Sequence, residues 1–179
     1  MQKEHKIDLS LANPFLRSVC YEVEGRTCST IGFANGAGGY ELRGNKTLKG
    51  TIAPKDISVI AGEADNVPLY IVEDFMDVLS CLTVKGQEIA PNLVLNSVSN
   101  IHRAVIHFRE HRIAYVRAFL DNNEAGRQAM QVLQSAEMSV EDMSRHYGRY
   151  KDFNEFCVSR QKAMKQKRPL SVVRRGFRR

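Results

Sequence analysis

The chain has 179 residues, of which 43% are hydrophobic and 26% are charged, a composition typical of a globular domain. No apolar run is long enough to span a bilayer, and the N-terminus lacks the apolar core of a secretory signal. We therefore expect a cytoplasmic protein without a membrane partner. No two of the four cysteines form a CxxC pair, which argues against a structural zinc site.

The formal net charge of +6 arises at the C-terminal end of the chain. Nine of the 26 Lys and Arg residues lie within 160–179, which contains no Asp or Glu, and the rest of the chain has a net charge of −3. Such a segment can bind nucleic-acid phosphates through counterion release, or it can be a solvated extension. We predict a basic C-terminal tail over 161–179 that contacts nucleic acid, with Arg174 and Arg175 among its phosphate-binding residues.

The first third of the chain predicts a small, mostly antiparallel unit capped by a helix. Apolar residues at helical spacing indicate a helix over 7–19, interrupted at Asn13-Pro14. From Tyr21 the pattern alternates, and a turn at 24–26 predicts a β-hairpin. Further short strands, separated by glycine-containing turns, are predicted at 40–43, 47–50 and 57–60. Residues 1–66 form the predicted α+β subdomain, and a polar connection over 62–66 ends it.

From residue 67 onward, strands and helices alternate, which predicts a parallel sheet with right-handed crossovers. The apolar run 69–72 predicts a buried strand, and the helical spacing after it predicts a helix over 74–84. Two more strand–helix units follow, with strands at 93–95 and 113–120, and a last helix is predicted over 153–164. The predicted fold class is α/β, with a Rossmann-like parallel sheet flanked by helices over 67–160.

Two carboxylates follow directly after predicted strands. Glu73 comes after the strand 69–72, and Asp121 comes after the strand 113–120. Open α/β sheets bind ligands at the carboxyl ends of their strands, so the two residues would face a common space if their strands are neighbours. Hard oxygen ligands of this kind suit Mg²⁺ or Mn²⁺, which can bridge phosphate oxygens. Taken singly, each acidic position is better explained as a helix cap.

A third acidic position, Asp152, directly precedes the last predicted helix. Glu155 follows it at the spacing of a capping box, and that interpretation is sufficient for Glu155. Asp152 could also hold a second metal ion or a water molecule in the metal's shell. The pattern leaves these two alternatives for Asp152 open.

The segments around these acidic residues resemble the Toprim domain, the metal-binding domain of bacterial-type primases, topoisomerases and related nucleases. They occur in the order and at the separations found in that family. The segments are Val72-Glu73 with Asp77, Leu120–Arg127 and Lys151–Phe156. The resemblance covers about 67–158 and is closest to the primase branch. It implies a metal-dependent site whose ligands come from all three segments.

The resemblance implies roles for individual residues. Glu73 would be the catalytic acid and base or a metal-adjacent carboxylate, and Asp121 would be a catalytic metal ligand. The next family ligand falls on Asn123, where an Asp is usual, and Asp152 falls on a further acidic position of the metal site. The amide at Asn123 removes a charge, which should weaken Mg²⁺ binding.

Two further residues are predicted as supporting acidic residues, Asp77 and Asp74. Asp77 falls on an acidic position of the family, whereas Asp74 stands where the family has a Gly. Its charge would lie close to the metal site and partly compensate for Asn123, although a side chain at this position narrows the approach to the backbone. The site therefore departs from the family pattern at two places.

Basic residues near the site are expected to contact phosphates. Arg117 and Arg127 flank the second acidic segment, Lys151 begins the third, and Arg43 and Lys49 lie on the first subdomain. A guanidinium in the first turn of a helix, such as that of Arg127, can bind a phosphate bidentately. It can equally bond a neighbouring carboxylate or carbonyl.

The first third resembles primase-like proteins of mobile elements in Bacteroides-type bacteria. The segments that carry this resemblance are Gly32–Asn35, Gly38–Arg43, Lys49-Gly50 and Pro54–Ile57. A zinc-binding module often precedes this region in those proteins, and the cysteine spacing here does not supply one. We therefore expect the chain to be a fragment or a shortened relative.

Together these resemblances predict a DNA primase-like nucleotidyltransferase that synthesises RNA primers on single-stranded DNA, with Mg²⁺ or Mn²⁺, in replication or mobilisation. Nucleotides and single-stranded DNA would be its ligands, and a helicase or a mobilisation protein is a further candidate partner. Two alternatives stay open. An accessory nucleic-acid-binding module would have lost catalysis through Asn123, whereas a Toprim-type nuclease would cleave DNA with metal and without nucleotides.

Overall fold

A computed structural model describes residues 7–44, 48–60, 68–85 and 92–167, which form two sheets joined by one hydrophobic cluster. The first sheet is antiparallel. Its strands, in the order in which they pair, are β1 (Leu16–Val23), β2 (Arg26–Ala34), β3 (Tyr40–Arg43) and β4 (Lys49–Ile52). A short helix, α1 (Leu9–Ala12), and one 3₁₀ turn precede it.

The helix predicted over 7–19 is wrong in its second half, where the chain forms β1. Pro14 lies in the 3₁₀ turn that ends the helical backbone, and from Leu16 onward β1 pairs with β2 over its whole length. The apolar residues spaced by four that predicted the helix therefore include, by coincidence, residues of β1. The predicted hairpin is confirmed, with a two-residue turn at Glu24-Gly25, where both φ angles are positive (49° and 72°).

The second sheet confirms the predicted α/β class. Its strands, in spatial order, are β5 (Ser58–Ile60), β7 (Asn92–Val94), β6 (Leu69–Val72), β8 (Tyr115–Phe119) and β9 (Ser139–Asp142). All its pairs are parallel except that of β5 with β7. Strand β9 was not predicted, because a short, partly exposed edge strand carries no apolar run. Strand β5, assigned from the sequence to the first subdomain, pairs within this second sheet.

Helices cover both faces of the parallel sheet. They are α2 (Phe75–Lys85), α3 (Ile101–Glu110), α4 (Glu124–Gln134) and α5 (Phe153–Lys167). Alternate residues of β6 point to opposite faces, so that Ile71 packs with α3 and α4 while Val72 packs with α2 and α5. The last helix, α5, extends three residues beyond its predicted end, into the predicted tail. None of the described helices is long and apolar enough to cross a bilayer.

The predicted connection 62–66 and residues 168–179 of the predicted tail lie outside the described residues, as does residue 47 of a predicted strand. The antiparallel sheet lies over the start of α2, where Phe33 stacks on Phe75 with ring centroids 5.0 Å apart. The Gly36 amide donates to the carbonyl of Ile57 at 2.8 Å. These contacts place the antiparallel sheet against the carboxyl end of the parallel sheet.

Candidate functional site

A cleft of about 700 Å³ lies where the carboxyl ends of β6 and β8 meet the antiparallel sheet. Strands β6 and β8 are parallel neighbours, with Val72 paired to Phe119. Glu73 and Asp121 consequently leave the sheet side by side, and the Asp121 amide donates to Glu73 Oε2 at 3.3 Å. The structure thus brings into one space two carboxylates that are 48 residues apart in sequence.

Asp121 is followed by a close turn into α4. The Asn123 side chain caps this helix, because its Oδ1 accepts the Gly126 amide at 2.9 Å. Its Nδ2 lies 3.4 Å from Asp121 Oδ2 and donates to it. The one oxygen that Asn123 could offer a metal therefore already holds a helix N–H group. This geometry supports a capping and orienting role for Asn123, and its role as a metal ligand stays a prediction.

The loop before α5 is held against the end of β8 by Asn122. Its side-chain amide donates to the carbonyls of Tyr147 (3.1 Å) and Tyr150 (2.8 Å). Its backbone amide donates to the carbonyl of Lys151 at 2.9 Å. The hydroxyl of Tyr147 donates to the carbonyl of Leu120 at 2.8 Å. These four bonds fix the third acidic segment beside the second.

Asp152 lines the cleft and also caps α5. Its Oδ1 accepts the Glu155 amide at 2.7 Å, while Glu155 Oε2 accepts the Lys151 amide at 2.8 Å. The predicted capping pair is confirmed, although the return bond reaches Lys151 and not Asp152 itself. The other Asp152 oxygen, Oδ2, is 3.8 Å from the Lys151 ammonium. It is the Asp152 atom with no helix amide to accept, so it is the one that could face a cation.

Asp77 is only 2% exposed and joins two helix starts. Its Oδ2 accepts the Asp74 amide at 3.1 Å, and its Oδ1 accepts the Asn154 amide at 3.0 Å. Burial, and next the charge of Asp74, raise the pKa of Asp77 well above its usual range. Asp77 therefore acts as a support that fixes α2 and α5 relative to each other.

The carboxylate of Asp74 is shared between α2 and the antiparallel sheet. Its Oδ1 accepts the Met76 amide at 3.0 Å. Its Oδ2 forms an ion pair with Arg43 and lies 3.5 Å from the ammonium of Lys49. The Asp74 charge is paired with cations of the chain itself, and its predicted compensation for Asn123 stays a prediction.

The pKa values of the two strand-end carboxyl groups are raised. Burial, and next the negative charge of Asp121, raise the pKa of Glu73 to about 7. Burial, and next the charge of Asp152, raise the pKa of Asp121 to about 6. Six acidic and four basic residues line the cleft. A cation bound between Glu73 and Asp121 would favour the charged forms of both carboxyl groups, which burial and neighbouring negative charge disfavour.

The carboxylates of the cleft fit a divalent metal whose remaining ligands come from a bound substrate and water. No group of three or more His, Cys, Asp or Glu residues within the described ranges has the geometry to hold a metal by itself. Mg²⁺, however, is commonly held by one or two carboxylates, with substrate phosphates and water completing its octahedron. Glu73 and Asp121 supply such a pair, and Asp152 faces the same cleft.

Two of the predicted phosphate-binding residues lie outside the cleft lining. Arg117 pairs with Glu141 at 2.8 Å, and Arg127 pairs with Glu124 at 2.7 Å. For Arg127, the alternative of a bond to a neighbouring carboxylate is the one observed. Lys151 does line the cleft, as do Arg43 and Lys49 of the first subdomain.

The antiparallel sheet supplies most of the cleft's positive charge. Arg43 and Lys49 are cross-strand partners on β3 and β4, and Lys55 lies beyond them. Arg43 and Lys49 were among the basic residues expected near the site, whereas Lys55 was not singled out as a phosphate-binding residue. The predicted residues Arg174 and Arg175 lie outside the described part of the chain.

Residues 70–157 match the family described as Toprim-like, and residues 2–53 match a domain of unknown function (DUF8464). No curated protein matches the chain. Among solved structures, the primase fragment of the bacteriophage T7 primase-helicase protein is 17% identical, with a TM-score of 0.60 over 93% of this chain and 72% of that one.

A second similar structure contains T7 lagging-strand DNA polymerase interacting with primase domains of two gp4 subunits bound to an RNA/DNA hybrid and dTTP. The matched chain of that structure is 15% identical to this one, with a TM-score of 0.61 over 89% of this chain and 86% of that one. At such low identity these matches establish the fold alone. Residues 70–157 therefore match a Toprim-like domain, and the fold of the chain is similar to that of the T7 primase fragment.

Proposed function

We propose that this protein is a DNA primase-like nucleotidyltransferase that joins ribonucleotides on a single-stranded DNA template. The proposal rests on the placement of Glu73 and Asp121 side by side in one cleft, which basic residues of the antiparallel sheet also line. Carboxylates that bind a metal and cations that bind phosphate are the two components that phosphoryl transfer requires.

Glu73 and Asp121 would hold Mg²⁺ or Mn²⁺, with Asp152 as a further contact. When bound, the metal would neutralise phosphate oxygens and orient them for attack. The pKa of Glu73 is raised to about 7 in the metal-free protein, so Glu73 would bind the metal as a carboxylate most readily above that pH. Asn123 keeps Asp121 oriented through its Nδ2 and through the cap on α4.

Arg43, Lys49, Lys55 and Lys151 would contact the phosphates of the nucleotide and of the template. The ammonium groups of Lys49 and Lys151 are largely exposed, which suits them to steering anions into the cleft. The similar T7 chains are the primase fragment of a primase-helicase protein and primase domains bound to an RNA/DNA hybrid and dTTP. This similarity supports a nucleic-acid partner, makes a helicase a candidate partner, and accords with a cytoplasmic role in replication or mobilisation.

Primer synthesis on single-stranded DNA, with ribonucleotides and Mg²⁺ or Mn²⁺, tests this proposal. We expect synthesis by the wild type and a loss of at least about 100-fold in Asp121→Asn, because that change removes a metal-binding charge. Asp56→Asn is the matched control, since Asp56 pairs with Arg103 outside the cleft. An Asp121→Asn variant that keeps full activity would exclude the proposed site.

Two observations favour a second candidate, an accessory nucleic-acid-binding module. Asn123 serves as a helix cap, and no group of three or more His, Cys, Asp or Glu residues in the described ranges could hold a metal ion by itself. Such a module would bind single-stranded DNA in a salt-sensitive manner and make no primers, whether Glu73 is intact or changed to Gln. The same assay without nucleotides would detect the nuclease alternative as metal-dependent cleavage.

A further inference from the structure

Asp74 carries two separate functions on its two oxygens. Oδ1 accepts the Met76 amide and so caps the start of α2. Oδ2 points to the antiparallel sheet, where it contacts the guanidinium of Arg43 and the ammonium of Lys49. One oxygen held by two cations is the arrangement in which proteins commonly hold a phosphate oxygen.

Arg43 is fixed independently of Asp74. Its side chain is 15% exposed, its guanidinium lies over the Phe75 ring at 5.1 Å, and its Nη1 donates to the carbonyl of Leu42 at 3.0 Å. Loss of the Asp74 charge would therefore leave the guanidinium in place with an unoccupied donor, Nη2. Lys49, which is 73% exposed, could turn to any anion that enters the cleft.

We propose that Asp74 is an internal competitor for an anion subsite formed by Arg43 and Lys49, and that it thereby sets the affinity of the cleft for polyphosphates. The ligand class is a nucleoside triphosphate, so this inference rests on the proposed function. A phosphate group reaches the guanidinium only by displacing Asp74 Oδ2 or by sharing Arg43 with it. Asp74 is thus an affinity-determining residue of the cleft, distinct from the metal-binding carboxylates.

Asp74→Asn separates the two functions of this side chain. The amide keeps an oxygen for the Met76 N–H group and replaces the oxygen that holds the cations with an NH₂ group. Asp56→Asn is the matched control, because Asp56 also pairs with an arginine (Arg103, 3.4 Å) and is similarly buried, at 20% exposed against 25%. Both variants change the net charge by the same amount, and Asp56 does not line the cleft.

The experiment is calorimetric titration of the full chain with two probes, ATP in the presence of Mn²⁺ and tripolyphosphate alone. We expect Asp74→Asn to bind both probes about five- to tenfold more tightly than the wild type, the effect of removing one screened like charge. We expect Asp56→Asn to bind like the wild type. In the double variant Arg43→Met/Asp74→Asn this gain in affinity should disappear, because the guanidinium that Asp74 pairs with in the wild type is absent.

Lys49→Met provides a second test that does not disturb folding, because its side chain is largely exposed. It should weaken binding more in the Asp74→Asn background than in the wild type, where Asp74 already engages Lys49. Unchanged or weaker binding by a folded Asp74→Asn variant would overturn the inference, and so would an equal gain in Asp56→Asn. Absence of binding of both probes to all variants would also overturn it. If the expected binding pattern occurs but the wild type makes no primers, the proposed function fails and this inference stands.

Discussion

Substitution of Gly126 by alanine is expected to abolish primer synthesis although every carboxylate of the site is retained. A Cβ at this position would lie 2.1 Å from the carbonyl oxygen of Asp121 and 3.2 Å from its amide nitrogen. Both neighbours are backbone atoms, so the loop itself must move. Because the Asp121 amide donates to Glu73, that movement separates the two carboxylates. We expect a loss of activity of at least about 100-fold and a decrease in unfolding free energy of ~2–4 kcal/mol.

Gly148→Ala is the matched control for this substitution. The same methyl group there would meet nothing closer than 3.9 Å, and the φ angle of −60° is accessible to any residue. Its stability should be unchanged or higher by about 0.5 kcal/mol, because alanine restricts the unfolded chain. Activity assays together with denaturant unfolding of both variants test the prediction. Wild-type activity in Gly126→Ala would show that the position of Asp121 does not control the reaction.

Replacing Glu73 with glutamine is expected to stabilise the metal-free protein at alkaline pH while it removes activity. The native state holds the Glu73 proton up to about pH 7, whereas a carboxyl group in the unfolded chain releases it near pH 4.5. Between these values the native state binds more protons, so its stability falls as the pH rises, and the whole penalty is present above pH 7. Such a pKa difference corresponds to roughly 3 kcal/mol, which water in the open cleft reduces to ~1–2 kcal/mol.

Denaturant unfolding of the wild type and Glu73→Gln in chelator, at pH 8 and at pH 4.5, measures this effect. We expect the variant to be more stable by ~1–2 kcal/mol at pH 8 and equal to the wild type at pH 4.5. Glu22→Gln, on an exposed part of β1, should show no such difference. A stability gain that is the same at both pH values would contradict a cause in the ionisation of Glu73.

The sequence was most informative where one strand and one helix adjoin. The run Leu69–Val72 is buried at the centre of the sheet, and a helix follows it as predicted. Asp121 likewise follows β8 at the end that faces the cleft. These positions follow from local pattern alone, because the carboxyl ends of parallel strands meet at one edge of the sheet. That β6 and β8 are neighbours depended on the strand order, which local pattern does not determine.

The sequence was least informative where a side chain has several candidate partners. Arg127 forms an ion pair with Glu124 of its own helix, and Arg117 forms one with Glu141 on the unpredicted strand β9. The pair of Arg43 with Asp74 joins the antiparallel sheet to the start of α2, and its two residues are 31 positions apart in sequence. Spacing alone cannot choose among such partners, because the choice depends on how the two sheets pack. The same reason explains why the pairing of Arg43 and Lys49 with Asp74 was not predicted, although both residues were expected near the site.

The central claim is that Glu73 and Asp121 together bind one divalent metal ion, and calorimetric titration with Mn²⁺ tests it most directly. We expect about one Mn²⁺ per chain at pH 8 and an affinity lower by about tenfold or more at pH 6, because protons then compete for both carboxylates. Asp121→Asn should lose this binding, and Asp56→Asn should keep it. Absence of Mn²⁺ binding to the wild type at pH 8, or equal binding by Asp121→Asn, would contradict the account.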